Sequence, residues 1–307
     1  MKPLLPSESE TVRKIVAGET PSGTASATEP GAPVRALPVS SEISVERWSQ
    51  GEVTHKTDQV AEEMPVALVY HGVPHVVMLA TPANLEDFAV GFSLSEGLVG
   101  RPDEIRSVEV TVGEEAADVM ITVAWDRFSA LLQRRRNLTG RTGCGLCGAE
   151  TADDAIREVA PVPPGPSVTT ADLHSAIEQL GTMQPINART GSVHAAAWVI
   201  PGRGIQLVRE DVGRHNALDK AIGALVRAGT DFTSGYMLIT SRASFEMVQK
   251  SATVGISFLA AFSAPTAFAV RLARKSGLTL VAFARRDRHV VYANPGRLTE
   301  SSASAAL

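Results

Sequence analysis

The sequence predicts a layered α/β fold, and three observations carry that prediction. Short apolar runs of strand length alternate with stretches whose apolar residues recur at helical spacing. The alternation is densest in the second half, as expected where helices cover the faces of one sheet. Of 307 residues, 44% are apolar and 20% charged, the balance of a globular chain able to bury a core. A net charge of −4 gives no overall pull toward nucleic acid or an anionic membrane. No apolar run reaches the roughly 20 residues of a spanning helix. The start, Met1-Lys2-Pro3-Leu4-Leu5-Pro6-Ser7-Glu8, lacks the apolar stretch of a secretory signal. Two adjacent cysteines form no disulfide framework, so a reducing cytoplasm is the expected setting.

Residues 1–40 read as a disordered tail: 21–38 are rich in Gly, Pro, Ala, Ser and Thr and hold few large apolar groups to offset ordering entropy. An N-terminal subdomain is expected over 41–160. It opens near Ile43-Ser44-Val45-Glu46-Arg47-Trp48, which alternates as a strand does. Ala67-Leu68-Val69-Tyr70 and His75-Val76-Val77-Met78-Leu79 flank His71-Gly72-Val73-Pro74 and read as a hairpin. Thr81 then reads as the cap of a helix with Pro82 at its first position. Leu85, Phe88, Ala89 and Phe92 give that helix an apolar face, and Gly97 ends it. Val108-Glu109-Val110 and Val119-Met120-Ile121-Thr122-Val123 read as a strand pair, and Phe128, Leu131 and Leu132 as a short helix.

Pro161-Val162-Pro163-Pro164-Gly165-Pro166 is a clear break, either a domain boundary or a stiff connector. A second domain is expected over 167–307. Leu173, Ile177 and Leu180 mark a helix. Residues 194–200 and 205–209 flank the turn Pro201-Gly202-Arg203-Gly204. Leu218, Ile222, Leu225 and Val226 mark a further helix, and Met237-Leu238-Ile239-Thr240 a buried strand. A helix carrying Phe245 and Val248 follows. Another runs from Pro265 to Gly277 and leads into the strand Leu278-Thr279-Leu280-Val281-Ala282-Phe283, against which His289-Val290-Val291-Tyr292 pairs back.

Cys144 and Cys147 are the chain's two cysteines, set in Gly140-Arg141-Thr142-Gly143-Cys144-Gly145-Leu146-Cys147-Gly148. Cysteine used as a small hydrophobe is scattered through cores, so this pairing points to sulfur chemistry or metal binding. Three chemistries fit. A structural zinc site needs four ligands, and this chain supplies one Cys-x-x-Cys pair, with His194 and His215, or a second copy of the loop, as possible completions. A thioredoxin-like dithiol normally opens a helix, whereas these thiols would precede a helix near 149–155. Covalent sulfur carriage needs one reactive thiolate, which Arg141 would favour at Cys144. The bland alternative is a loop with two incidental thiols.

Three polar clusters fall where a strand ends and the chain turns, the usual ligand side of an α/β sheet. The first is Arg209-Glu210-Asp211-Val212-Gly213-Arg214-His215-Asn216-Ala217-Leu218-Asp219-Lys220. It is dense enough to suggest function, although Asp211 or Asn216 would also serve as a helix cap and His215 as a surface histidine. The second is Ser241-Arg242-Ala243-Ser244-Phe245-Glu246, where a helix N-terminus with free N–H groups suits phosphate; a plain Ser244 cap with Arg242 in solvent is the alternative. The third is Phe283-Ala284-Arg285-Arg286-Asp287-Arg288, whose guanidinium groups suit bidentate phosphate contact, or form a solvated hairpin tip. Arg134-Arg135-Arg136 reads as a solvated helix end.

Four stretches together resemble the formate dehydrogenase accessory sulfurtransferases, the FdhD family: Arg141-Thr142-Gly143-Cys144-Gly145-Leu146-Cys147-Gly148, residues 210–220, residues 241–250, and Ser263-Ala264-Pro265-Thr266-Ala267 with Gly277-Leu278-Thr279-Leu280. The resemblance runs from about 43 to about 300. It implies a cytidine-deaminase-like layered fold with a mixed sheet plus a smaller N-terminal subdomain. It implies a homodimer that accepts sulfur from a cysteine desulfurase as a cysteine persulfide. The acceptor would be the molybdenum (or tungsten) bis(molybdopterin guanine dinucleotide) cofactor of the formate dehydrogenase catalytic subunit. No permanently bound metal is expected. Cys144 matches the persulfide-bearing position, with Cys147 as its companion. Phe283, Ala284, Arg285, Arg286, Asp287 and Arg288 match the cofactor-binding stretch, and Arg214, His215 and Arg242 are expected in the same cleft. A deaminase fold need not mean deaminase chemistry. The deaminase signature is missing, since His194 is followed by Ala195 and Ala196, and Gly143 stands before Cys144.

Overall fold

A computed structural model describes residues 37–136 and 158–300. The N-terminal tail, the segment 137–157 with Arg141, Cys144, Cys147 and the helix expected near 149–155, and the last residues lie outside the described residues. The described residues belong to one unit, Arg35–Leu307.

Two hairpins open the fold. β1 (Ser40–Ser49) pairs with β2 (Glu52–Ala61), and β3 (Met64–Tyr70) with β4 (Val73–Ala80). Each turns on two residues of positive φ, Gln50-Gly51 and His71-Gly72. Such turns match the right-handed twist of the flanking strands. The second turn is shorter than the four residues expected, because Pro74 lies inside β4. β4 is an edge strand, where proline is tolerated. β5 (Ile105–Val112) and β6 (Ala117–Val123) complete a four-stranded sheet in the order β4-β3-β6-β5, with β3 and β6 parallel. One face of this sheet buries Val66, Leu68, Tyr70, Val119 and Ile121 under α1 (Leu85–Ser95). Phe128 and Leu131 of α2 (Trp125–Arg136) close the same core.

The start of α1 departs from the sequence reading. Its cap is Asn84, in the left-handed region, not Thr81. Thr81 is fully buried and spends its groups elsewhere: its N–H donates to Asp211 Oδ2 (3.1 Å), its hydroxyl accepts from the Val212 N–H (3.1 Å), and its carbonyl accepts from Lys220 Nζ (2.8 Å). A buried charge pair leaves more to lose than an unmade cap, so tertiary demand overrode the local signal.

The second sheet has the order β13-β12-β11-β10-β8-β9. Its strands are β8 (His194–Ile200), β9 (Gly204–Asp211), β10 (Tyr236–Ile239), β11 (Phe258–Ala261), β12 (Thr279–Ala282) and β13 (Val290–Ala293). β10, β11 and β12 are parallel, and the flanking pairs are antiparallel, so the sheet is mixed. A two-stranded piece, β7 (Val168–Thr169) with β14 (Leu298–Thr299), lies outside it. On one face, α5 (Arg214–Arg227), α6 (Phe245–Thr253) and α7 (Ala267–Ser276) bury Leu218, Ile222, Met247, Val248 and Leu272 against Trp198, Met237, Leu259 and Leu280. On the other, α3 (Thr170–Leu180) buries Leu173, Ile177 and Leu180 against Val199, Tyr236, Leu238 and Phe258. A short α4 (Pro185–Thr190) follows α3, its first N–H groups held by Glu210: Ile186 N at 3.0 Å and Asn187 N at 2.8 Å. The proline-rich stretch is irregular and fastened to this layer, with Val162 N donating to the Ser276 carbonyl at 2.8 Å. Among the described residues no helix is long and apolar enough to cross a membrane.

The two sheets are joined by α1 crossing α5 backbone to backbone. A Cβ on Gly91 would sit 1.7 Å from the Asp219 carbonyl oxygen, and one on Gly223 1.8 Å from that of Asp87. Around this crossing lies a buried ionic cluster. Lys250 of α6 donates to both Asp219 carboxylate oxygens (3.0 and 2.8 Å) and to Ser95 Oγ (3.0 Å), and pairs with Glu96 (2.7 Å). Burial is the largest influence on the Lys250 ammonium and opposes its charge. Asp219 and Glu96 outweigh it and hold its pKa above the ordinary lysine value. Asp87 completes the seam by accepting from Arg209 Nε (2.9 Å) and Arg227 Nη1 (2.6 Å). Because the crossing has no room for a methyl group, Gly223→Ala is expected to lower stability by about 3 kcal/mol or more, the upper range for overpacking. Gly296→Ala, whose Cβ would meet nothing within 4 Å, is the control. Urea unfolding reads both, and a Gly223→Ala midpoint equal to the control would overturn this packing.

Candidate functional site

All six strands of the second sheet bring an end to one edge. β10, β11 and β12 end there, and antiparallel pairing puts the start of β8, the end of β9 and the start of β13 beside them. The connections after β10, β11 and β12 form one band. Ala243 N donates to the Ala264 carbonyl (3.2 Å), Phe283 N to that of Ser263 (3.2 Å) and Ala284 N to that of Ala261 (3.1 Å). The edge therefore gathers His194, residues 211–215, 240–244, 262–266 and 283–289, with the N-termini of α5, α6 and α7 opening from it. This is the side of an α/β sheet on which ligands bind.

Much of the first polar cluster proves to be scaffold. Asp211 and Lys220 form a fully buried ion pair. Asp211 Oδ1 also accepts from Gly213 N (2.8 Å) and Asn216 Nδ2 (3.0 Å), and Asn216 donates to the Leu79 carbonyl (2.8 Å). Burial pulls the Lys220 ammonium below the ordinary lysine range, with Asp211 opposing it. Neither Asp211 nor Asn216 caps α5; its cap is Gly213. Glu210 anchors α4 and Asp219 the seam, so Arg214 and His215 are what this cluster leaves for a ligand.

Arg214 and His215 occupy the first turn of α5, where no acidic residue stands. The Arg214 guanidinium at a helix N-terminus opposes the helix dipole, so this placement favours an anion nearby. Within the protein the anion is Glu246 of α6, 2.7 Å from His215 Nε2. The close approach of His215, first, and then the charge of Arg214 hold the Glu246 carboxyl below the usual carboxylate range. Burial, then the charges of Arg214 and His215, push His194 below the usual histidine value. Arg214 Nε and Ser244 Oγ are buried and have no hydrogen-bond partner among the described residues. Ser244 sits at the cap position of α6 but makes no cap bond, and Arg242 is exposed.

The third cluster forms a short exposed loop. Phe283 has φ 50°, a left-handed conformation that is costly for an aromatic residue, and is exposed. Arg285 N donates to the Arg288 carbonyl at 2.8 Å and closes the turn. The Arg285 guanidinium donates to the carbonyls of Phe262 and, at 2.8 Å, Ala284, so it fastens the loop to the edge. Arg286 makes only a loose 3.6 Å pair with Glu178, both well exposed. Asp287 and Arg288 are exposed, and Ala284 is buried. Beside the loop lies an open pocket of about 420 Å³, lined by Ile177 of α3 and Gly181 just past its end, by Thr240, Phe262 and Ser263 at the strand ends, and by Ala284, Arg285 and Arg286. The sequence marks Thr240 only as a strand end, Ser263 only as part of a family-like stretch and Ile177 only as part of an apolar stripe, so none of the three is expected there as a pocket residue.

A family model described as the FdhD/NarQ family matches residues 61–299. A protein of Cupriavidus necator named "Sulfur carrier protein FdhD" is 51% identical over 268 residues, 87% of this chain and 93% of that one. One of the same name from Xanthomonas campestris pv. campestris is 50% identical over 270 residues, 88% and 95% of the two chains. The chain belongs to the FdhD/NarQ family. Its fold matches a crystal structure from Desulfotalea psychrophila, described as that of a formate dehydrogenase accessory protein, with a TM-score of 0.68 at 24% identity, covering 85% of this chain and all of that one.

Of the other candidate site, Cys144 and Cys147 lie outside the described residues, but the root of the segment that carries them does not. α2 runs into it, and α2 is pinned by Glu104. That carboxylate accepts two bonds from Arg127 of α2 (Nε and Nη2, each 3.0 Å) and two from the backbone N–H groups of Gly100 (2.7 Å) and Arg101 (3.2 Å). The Arg127 bonds, ahead of the others, lower the Glu104 pKa from 4.5 to about 2. A depressed carboxyl stabilises the fold above its unfolded value and loses that contribution as pH falls toward the folded one. Arg127 is 41% exposed, so solvent screening reduces the contribution to about 1 kcal/mol. Between pH 5 and 3 the melting temperature of Glu104→Gln is expected to fall less than that of the unaltered protein. Parallel curves would show that the pair does not stabilise α2.

Proposed function

We propose that this protein is a sulfur carrier that accepts sulfur from a cysteine desulfurase on Cys144 and delivers it to a molybdenum (or tungsten) bis(molybdopterin guanine dinucleotide) cofactor, as formate dehydrogenase maturation requires. The observation that carries the reading is family membership over most of the chain, with relatives named sulfur carrier protein at half identity. The Cys144 thiolate attacks the outer sulfur of the desulfurase persulfide. A new S–S bond forms on Cys144 and the desulfurase thiolate leaves, with no net oxidation. Release of that sulfur as sulfide needs two electrons. Attack by the Cys147 thiolate on the inner sulfur supplies them, giving a Cys144–Cys147 disulfide and hydrosulfide. The thiolate is the competent species at each step.

The strand-end edge supports the acceptor half of the reading. A guanine dinucleotide carries pyrophosphates, and Arg286, Arg288, Arg214 and Arg242 offer permanently charged forked donors at or beside that edge. In this reading the chain divides its labour. Residues 41–160 lead to the sulfur-bearing cysteines and 167–307 hold the cofactor in cytidine-deaminase-like layering, two copies acting as a homodimer in the cytoplasm, with the formate dehydrogenase catalytic subunit as client.

Two experiments test it. Intact-mass spectrometry after incubation with a cysteine desulfurase and cysteine should show added sulfur that disappears in Cys144→Ala; a full adduct in that variant would move the role to Cys147. Calorimetry with guanosine diphosphate should show at least a roughly tenfold loss of affinity, about 1.4 kcal/mol, for Arg285→Ala/Arg286→Ala, with persulfide loading intact. Unchanged affinity would reduce the loop to a solvated tip.

A further inference from the structure

Helix α3 reaches across the pocket to the arginine loop through two side-chain contacts one helical turn apart. His174 Nε2 and His289 Nδ1 share a hydrogen bond at 3.1 Å, one ring donating and the other accepting, with ring centroids 5.2 Å apart. Glu178, four residues on, meets Arg286 at 3.6 Å. Ile177 on the same helix and Gly181 just past its end line the pocket that Arg285 and Arg286 also line. The loop's first half is tied to the strand ends through Arg285. Its second half, past the turn bond from Arg285 to Arg288, is tied at His289 to α3. Both imidazoles are partly buried, whereas Arg286, Asp287 and Arg288 between the two ties are exposed.

We infer that His174 and His289 form a positioning clasp that holds the arginine loop against α3, fixing the width of the pocket and the direction in which Arg286 and Arg288 face a diphosphate. Neither histidine needs to touch the ligand. The inference rests on the reading that residues 283–288 receive the nucleotide end of the cofactor. Two features favour a clasp over an incidental contact. An exposed pair such as Glu178–Arg286 holds a loop weakly, since such pairs contribute little in water. The histidine contact is shorter and less exposed, and burial, then the neighbouring His174, favour the neutral form of His289, which can serve as donor or acceptor. Fixing a loop before binding removes ordering entropy that the ligand would otherwise have to supply.

The test is a double-mutant cycle on the full chain with guanosine diphosphate as the probe. His174→Ala and His289→Ala should each weaken binding by about tenfold, and the double variant should be no weaker than either, because one shared contact is lost. Hydrogen exchange should accelerate over residues 285–289 in each variant and stay unchanged in β10 and β11. Asparagine at either position, which can still hydrogen-bond, should restore part of the affinity. Additive losses, or loss of affinity without faster exchange in the loop, would overturn the clasp. Unaltered protein that fails to bind guanosine diphosphate would overturn the nucleotide-site reading, and faster exchange in the variants would then leave a fold contact with no part in binding. Tight binding by the unaltered protein and by both histidine variants, together with weak binding by the arginine double variant, would sink the clasp alone.

Discussion

The α1–α5 crossing at Gly91 and Gly223 is the constraint on which the rest of the structure depends. It brings two helix backbones into direct contact and so joins a four-stranded sheet to a six-stranded one. Such closeness leaves no solvent to screen the charges beside it. Lys250 and Asp219 must therefore satisfy each other, and Ser95 and Glu96 of the first layer complete the set. Removing one member of such a pair typically costs about 3–5 kcal/mol, because the other remains charged and dry. The ionic cluster thus works less as a source of stability than as a lock on register: α1, α5 and α6 satisfy it in one mutual arrangement.

That register reaches the candidate site through Thr81 and Asp211. The end of β4 is tied to the β9–α5 junction by Thr81, Leu79, Asn216 and Lys220. The first turn of α5 is consequently immobilised by buried bonds just behind Arg214 and His215. The arrangement resembles other sites in which a rigid inner set of bonds orients an outer set of groups. Inside are Asp211, Asn216 and Lys220; outside are Arg214 and His215, with His215 beside the exposed carboxylate of Glu246, and Arg286 beside that of Glu178.

Strands and helices with strong periodicity were legible in the sequence. The pairs 67–70 with 75–79 and 194–200 with 205–209, and the helices marked by Leu173, Leu218 and Phe245, all occur. β11 carries no signal of its own although Phe258-Leu259-Ala260-Ala261 is a plain apolar run, because four residues between two helices leave no period to read. β2 carries none for the opposite reason: Glu52–Ala61 is nearly all exposed and polar, and becomes a strand by pairing with β1. The first helix was started too early, because Thr81 and Pro82 form a correct local signal that a partner 130 residues away overrode. At the site, sequence reasoning located the three strand-end clusters, but charge density alone could not separate Asp211, Asp219 and Lys220, which are buried in the scaffold, from Arg214 and Arg286, which face the edge. That distinction depends on burial, which follows from the α1–α5 crossing and not from local composition. His174 and Glu178 carry no motif; their relevance appears only when α3 is placed beside the arginine loop.

In the proposed function, one chain couples sulfur held at its cysteines to a cofactor held at its strand-end edge. The most direct measurement loads the protein with ³⁵S from labelled cysteine and a desulfurase, then follows loss of label after addition of the molybdenum guanine-dinucleotide cofactor, with and without excess guanosine diphosphate. The cofactor is expected to discharge the label, and guanosine diphosphate, by occupying the edge, to slow the discharge. Discharge at the same rate with the edge blocked would contradict this coupling.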